Sequence, residues 1–210
     1  VIAGYALQVH NAFVYIRGEF DLPYRRLQAA IDEAYDAGLL GERIMGSDYS
    51  MDLVAHRGAG SYVCGEASGL LTSIEGRKGY PRNRPPRLTV RGLFQRPTVV
   101  NNVETLSNLA VILAMGGEEF RKIGAPKSPG TQLVSISGHV VKPGVYEVPM
   151  DITMRQVIYD VCGGLRPGRT LKAVIPGGSS MPPLDASELD IPLEFDTLTT
   201  DPRIKEVEVR

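Results

Sequence analysis

Three glycines cluster in the stretch His56-Arg57-Gly58-Ala59-Gly60-Ser61-Tyr62-Val63-Cys64-Gly65-Glu66, at a junction that reads as strand to helix. Glycine lets backbone approach a flat or anionic ligand closely, and the helix that follows offers amides without partners. The spacing is Gly-x-Gly, four residues, then Gly, so it is not the dinucleotide fingerprint, which has two. An ordinary tight connection would show the same pattern. A second candidate is Pro97-Thr98-Val99-Val100-Asn101-Asn102-Val103-Glu104-Thr105-Leu106. Here Asn101 is expected as a helix N-cap with Glu104 three residues on, forming a capping box. Asparagine side chains and first-turn amides also suit a phosphate or a ribityl chain. The two cysteines, Cys64 and Cys162, share no metal-ligand spacing with each other or with His10, His56 and His139. Cys64 lies between the glycines, where a cofactor could approach it, whereas Cys162 reads as a small buried apolar residue. No nucleophile–base arrangement is readable, so hydrolytic triad chemistry is not expected.

The elements that would position these residues alternate between strand and helix. Val1–Val9 carries helical apolar spacing, and Ala12–Ile16 is a continuous apolar run expected as a strand covered on both faces. Leu22–Ala37 reads as a helix started by Asp21 and Pro23. Leu27, Ala30, Ile31 and Ala34 form its buried stripe, and Gly38 closes it. Ser50–Ala55 is a short strand. The glycine loop then leads into a helix bearing Leu70, Leu71 and Ile74. After a Pro/Arg-rich loop, Asn101 starts a helix with Leu106, Leu109, Ala110 and Leu113 on one face. This half is expected to form an α/β layer.

Gly124–Gly130 holds two prolines and is the expected linker. Beyond it, Gln132–Ser137 and Val145–Val148 read as strands joined through Lys142-Pro143-Gly144. Thr153-Met154-Arg155-Gln156 is a capping box. It opens a helix with Val157, Ile158 and Val161 buried and Gly163-Gly164 at its end, and Leu171–Ile175 is the next strand. The grammar is that of a small α+β module.

The 210 residues carry a formal charge of −1, with 43% hydrophobic and 22% charged residues. That balance excludes a disordered or collagen-like chain and argues against nucleic acid as a partner. The longest apolar run, Leu109–Met115, is far short of the ~20 residues of a membrane span. The charge is unevenly placed. Arg77, Lys78, Arg82, Arg84, Arg87, Arg91 and Arg96 lie between Arg77 and Val103 without one acidic residue, while Asp185–Arg210 has eight acids against three bases. The basic stretch would steer an anionic ligand or dock on an acidic partner, or would simply be a solvated loop. The chain starts at Val1 with no charged leader and no cleavage signal, so no targeting peptide is read. The missing Met is expected of an internal piece.

Taken together, the motifs are more specific. Arg57-Gly-Ala-Gly-Ser-Tyr-Val-Cys-Gly-Glu66, Leu70-Leu71-Thr-Ser-Ile-Glu-Gly76, Pro85-Pro86 and Pro97-Thr-Val-Val-Asn-Asn-Val-Glu-Thr105 resemble the NADH-binding flavoprotein subunit of respiratory complex I. Ser137-Gly138-His139-Val140, Lys142-Pro143-Gly144-Val145-Tyr146-Glu147 and Ala173-Val174-Ile175-Pro176-Gly177-Gly178-Ser179-Ser180 resemble that subunit's β-grasp (SLBB) module. The resemblance runs from Val1 to about Pro183. It implies a fold of class α/β: part of an FMN-binding α/β sandwich domain, followed by a small α+β ubiquitin-like β-grasp (SLBB) domain. The implied limits are 1–123 for the FMN domain, 124–130 for the linker, 131–196 for SLBB, and 197–210 for the start of a further region.

In this family NADH gives a hydride to FMN, and electrons then pass singly into iron–sulfur clusters toward quinone. The resemblance implies that Tyr62, Gly65 and Glu66 line the flavin and nicotinamide site, and that Val100, Asn101, Asn102 and Thr105 hold the ribityl–phosphate end. Glu66 would act by position and charge, because hydride transfer from NADH to flavin needs no side-chain base at carbon. No metal ligand is expected in this chain, since the [4Fe-4S] ligands of the family lie downstream of the matched region. The implied partners are a thioredoxin-like 2Fe-2S subunit and a large iron–sulfur subunit, in a peripheral arm on the cytoplasmic side of the inner membrane without direct membrane insertion. The family reads Gly-Glu-Glu-Thr where this chain has Gly65-Glu66-Ala67-Ser68, so a second acidic residue beside the flavin is absent. Two other readings stand beside this one: a diaphorase subunit of an NAD-linked hydrogenase or formate dehydrogenase, and a non-catalytic binding or assembly module. The piece alone is expected to be inactive.

Overall fold

A computed structural model describes residues 1–178 and 181–194. The chain divides into two compact units, Val1–Leu106 and the part from Ser107 onward.

The first unit opens with helix α1 (Ile2–Leu7) and strand β1 (Asn11–Ile16). Helix α2 (Asp21–Asp36) connects β1 to strand β2 (Asp52–Arg57), which pairs with it in parallel from Asn11↔Asp52 to Ile16↔Arg57. A parallel pair requires such a crossover, and a helix is its usual form. Asp21 in the first turn of α2 complements the helix dipole and pairs with Arg25 at 2.9 Å. The helix stops at a left-handed glycine. Gly38 has φ +67, its N–H donates to Tyr35 O, and the Leu39 N–H donates to Ala34 O. This double closure satisfies the last carbonyls, and a side chain at Gly38 would be strained. Ile31, Leu40, Ile44, Tyr49 and Met51 form the core, with Leu27, Ala34, Leu53 and Ala55 packed on it.

Ala30 does not join that stripe; it is exposed. It sits about 60° around the helix from Leu27, at the edge of the face that Ile31 centres. β2 begins two residues later than the apolar run suggests, at Asp52. β1 is only half-buried, because the described sheet has two strands and covers it incompletely.

Beyond β2 come the glycine loop, a 3₁₀ turn at Tyr62–Gly65, and helix α3 (Ala67–Ile74). The Pro/Arg loop leads to helix α4 (Val103–Met115), where the apolar spacing predicts cover for Leu106, Leu109, Ala110 and Leu113. No residue of α4 is buried, and Leu113 is 65% exposed. Its face is apolar as the sequence indicates, but no complete layer of described residues lies over it.

The second unit continues with helix α5 (Gly117–Phe120), then the two-residue strands β3 (Gly124–Ala125) and β4 (Ser128–Pro129), paired antiparallel. Strands β5 (Thr131–Ile136) and β6 (Gly144–Pro149) follow as an antiparallel pair. Helix α6 (Met154–Gln156) begins at the expected capping box. Thr153 Oγ1 accepts the Gln156 N–H at 3.2 Å, and Gln156 Oε1 accepts the Thr153 N–H at 2.9 Å. A π-turn over Val157–Val161 extends α6, and Gly163 and Gly164 both take positive φ after it. Val157, Ile158, Cys162, Leu189, Met154, Val140 and Leu193 form the core of this unit. Burial pushes the Cys162 thiol above its ordinary range. Val161 is half-buried, at the edge of the helix face. Leu171–Ile175 is not a strand. Only Val174 is bridged, antiparallel to Leu184, while Leu171 and Val174 pack on the core as irregular chain. Apolar alternation alone does not make a strand without a continuous edge to pair with. The acidic segment is described only to Glu194, and the remainder lies outside the described residues.

Candidate functional site

The glycine loop starts where β2 ends, and Arg57 fixes that end. Its Nε and Nη2 donate to Gly18 O at 3.1 and 2.7 Å, and its Nη1 lies 3.2 Å from Asp21 Oδ1. The guanidinium therefore ties the loop to the start of α2. Gly58 is packed so closely that an added Cβ would collide with the Tyr15 ring and hydroxyl, which accounts for a glycine there. Tyr15 Oη is 3.1 Å from Ser73 Oγ on α3, so the loop base is joined to the helix beyond it. Burial pushes the Tyr15 phenol up.

Of the expected flavin-side residues, Tyr62 is 95% exposed, Gly65 has open space where a side chain would sit, and Glu66 caps α3. Glu66 Oε2 accepts three bonds: from the Ser68 N–H at 2.8 Å, the Gly69 N–H at 2.8 Å and the Ser68 hydroxyl at 2.5 Å. Its other oxygen, Oε1, lies 3.3 Å from Arg84 Nη2. The Ser68 hydroxyl, then the Gly69 and Ser68 amides and the Arg84 guanidinium, hold the carboxyl below its usual range against partial burial. Cys64 is buried, and its sulfur fills the space a side chain at Gly79 would need.

The residues expected at the ribityl–phosphate end lie at the start of α4. The cap is Asn102, not Asn101, because the helix begins at Val103. Asn102 Oδ1 accepts the Glu104 N–H at 2.7 Å and the Thr105 N–H at 3.4 Å. The third helical residue is then Thr105, so the Asn101–Glu104 box does not form. Asn101, Asn102 and Thr105 are exposed and Val100 is half-buried. Val100 lines an open cleft of about 640 Å³ together with Ala67, Arg84, Arg87, Leu88 and Thr98. Val100, from the second motif, and Ala67, next to Glu66 in the first, are thus brought to one cleft, and Arg84 links that cleft to Glu66. Tyr62, Gly65, Glu66, Asn101, Asn102 and Thr105 do not line it. Two arginines and a volume of this size suit an anionic nucleotide.

Three residues whose contacts hold Glu66 and the loop beside it are not evident in the sequence: Ser68, Arg84 and Arg82. Ser68 is 1% exposed, and its hydroxyl both donates to Glu66 and accepts the Arg82 N–H at 2.8 Å. The Arg82 side chain pins the loop to α3. Nε donates to Thr72 Oγ1 at 3.0 Å, Nη1 to Gly92 O at 3.0 Å, and Nη2 lies 2.9 Å from Glu75 Oε2. That last approach is an ion pair without hydrogen-bond geometry, which leaves Nη2 buried on charge contact alone. Glu75 in turn accepts the Phe94 N–H at 2.8 Å. Seven basic residues with no acid among them are the available signal, because a partly buried arginine needs an acid from outside the run, here Glu75 just upstream of it. A second cleft of about 330 Å³ is lined by Arg82 and Glu75 themselves with Arg77, Tyr80 and Arg91, and it shares Arg84 and Leu88 with the larger one. Among the described residues no cluster of three or more His, Cys, Asp and Glu is placed to hold a metal, and no helix is long and apolar enough to cross a membrane.

Residues 1–111 match the Nuo51 FMN-binding domain family, and residues 132–199 match the SLBB domain family. The chain is 51% identical over 196 residues to the F subunit of the NADH-quinone oxidoreductase of Mycobacterium tuberculosis, covering 93% of this chain and 44% of that protein. It is 52% identical over 196 residues to the corresponding protein of Streptomyces coelicolor, covering 93% of this chain and 43% of that one. The chain thus spans under half the length of these relatives. Among solved structures, it is similar to a chain of an NAD+-reducing [NiFe]-hydrogenase in the H2-reduced state. The TM-score is 0.81 at 37% identity, covering 93% of this chain and 33% of that one.

Proposed function

Because the chain belongs to the Nuo51 FMN-binding domain family, we propose that it forms part of the FMN and NADH site of an oxidoreductase flavoprotein subunit. The family match over residues 1–111 carries this reading, and the residues present suit the group. The cleft beside α3 and Val100 is open and carries Arg84 and Arg87, as a phosphate-bearing ligand requires. Open space at Gly65 leaves room for a flat ring. Bound FMN would accept a hydride from NADH and release electrons singly.

The chain's own residues would bind and orient. Tyr62, Gly65 and Glu66 would line the flavin and nicotinamide, with Glu66 kept charged by its cap and acting through position. Val100, Asn101, Asn102 and Thr105 would meet the ribityl–phosphate end. Asn102 Oδ1 already takes the Glu104 and Thr105 amides, so these two are not left for a phosphate, and the Asn102 side-chain amide would be a donor there. We place the FMN domain at 1–123, the linker at 124–130, the SLBB domain at 131–196 and a further region from 197. In the whole subunit a [4Fe-4S] cluster, ligated outside this chain, would take electrons toward quinone. A thioredoxin-like 2Fe-2S subunit and a large iron–sulfur subunit would be neighbours, at the cytoplasmic side of the inner membrane.

The likeness to an NAD+-reducing hydrogenase supports a second reading, in which the half-reaction is the same but electrons are exchanged with a hydrogenase. Neighbouring genes for membrane subunits favour the first reading, and hydrogenase genes favour the second. In the full-length subunit, Asn102→Ala is expected to weaken flavin retention, measured as FMN per protein after dialysis. Unchanged flavin content would remove Asn102 from the site.

A further inference from the structure

Glu66 uses its two oxygens differently. Oε2 is saturated by the Ser68 and Gly69 amides and by the Ser68 hydroxyl, while among the described residues Oε1 meets only the Arg84 guanidinium, which also lines the larger cleft. The two amides belong to the backbone and would cap α3 whatever side chain stood at position 68. The hydroxyl is different. At 2.5 Å it is the shortest of the three bonds, it comes from a side chain that is 1% exposed, and its own orientation is set by accepting the Arg82 N–H at 2.8 Å. With its acceptor side taken by that amide, the hydroxyl hydrogen is directed at Glu66.

We propose that Ser68 is a positioning residue for Glu66, fixing the carboxylate so that Oε1 is presented to Arg84, the arginine that lines the nucleotide cleft. The proposal rests on Glu66 serving the FMN–NADH site. The chain of contacts runs from the Arg82 pin through Ser68 to Glu66, so the Pro/Arg loop and the cap of α3 are set together. The groups bearing on Glu66 are few. From α3 they are the hydroxyl and amide of Ser68 and the amide of Gly69; from the loop they are Arg84 and, through Ser68, the Arg82 amide. Of these only Arg84 places a charge on the carboxylate. Without the hydroxyl, the carboxylate would keep its capping bonds but lose a strong donor to its charged form, and it would bind a proton more readily. Oε2, still held by the two amides, would be less firmly oriented, and with it the direction of Oε1 toward Arg84.

The test uses the full-length, FMN-loaded subunit with two readouts. One is the pH dependence of kcat/KM for NADH oxidation with ferricyanide. The other is the protonation midpoint of the Glu66 carboxyl in infrared difference spectra against Glu66→Gln. For Ser68→Ala, the infrared midpoint and the acid limb both move to higher pH, by roughly tenfold in proton affinity. Ser68→Thr, which keeps the hydroxyl, restores both. A merely structural role for Ser68 would lower yield or stability and leave both midpoints in place. If Ser68→Ala does not fold, Ser68→Cys, a weak donor of similar size, supplies the comparison. Unmoved midpoints in the alanine or cysteine variant, with Glu66→Gln still impairing NADH oxidation, would overturn the proposal and leave the site reading intact. If Glu66→Gln oxidises NADH normally, the site reading of Glu66 fails and the proposal fails with it.

Discussion

Replacing Arg82 with alanine tests how the Pro/Arg loop is held. The change removes two hydrogen bonds, to Thr72 Oγ1 and to Gly92 O, at about 1 kcal/mol each. It also leaves Glu75, whose side chain is only 8% exposed, without its cation. Stranding a nearly buried carboxylate costs about 1–3 kcal/mol, and the Phe94 N–H that it still accepts moderates the loss. The Arg82 side chain is itself 23% exposed, so water compensates part of this, and the net expectation is about 2–4 kcal/mol. For a chain of this length that is a fall in Tm on the order of 10 °C. The assay is thermal unfolding followed by circular dichroism, for Arg82→Ala, Glu75→Gln and the double variant. The double variant is expected to lose less than the sum of the singles, because both remove the same contact. Arg82→Lys should fall between, since one ammonium cannot reach Thr72, Gly92 and Glu75 together. A change within about 0.5 kcal/mol for Arg82→Ala would refute the claim that this side chain pins the loop.

Two more outcomes follow from the caps. Glu66 titrates below its ordinary range in the folded chain, so its capping contribution is present above the unfolded carboxylate range and disappears as pH falls through the lowered folded value. Urea midpoints of the wild type and Glu66→Gln should therefore differ at neutral pH and converge on acidification; a constant gap would contradict the ionised cap. Thr153→Ala, which breaks the capping box before α6, is expected to cost about 1 kcal/mol in urea unfolding of the second unit, and no loss would show that the box is not used.

Much of the fold was legible because its signals are local. The α2 stripe and Gly38 belong to one helix, and the box at Thr153 and Gln156 spans four residues. The misplaced features needed information from elsewhere in the chain. Asn101 and Asn102 are equally good caps by type, and the choice depends on where the loop from Thr98 delivers the chain. Leu171–Ile175 has strand composition but finds only a single bridge partner at Leu184. Ala30 and the face of α4 are apolar, yet burial depends on what lies opposite, which periodicity does not report. At the candidate site, Glu66 stood out because of its motif. Ser68 and Arg82 looked like an ordinary helix serine and one arginine among seven basic residues, and their roles arise from contacts spanning 14 and 10 residues.

The central claim, that this chain contributes to an FMN and NADH site, is tested most directly by the absorbance spectrum of the full-length protein before and after NADH. The account predicts about one bound FMN per chain, bleached by NADH without added acceptor. A well-folded full-length protein that carries no flavin and shows no NADH:ferricyanide activity would contradict it, and would favour the reading of a binding or assembly module.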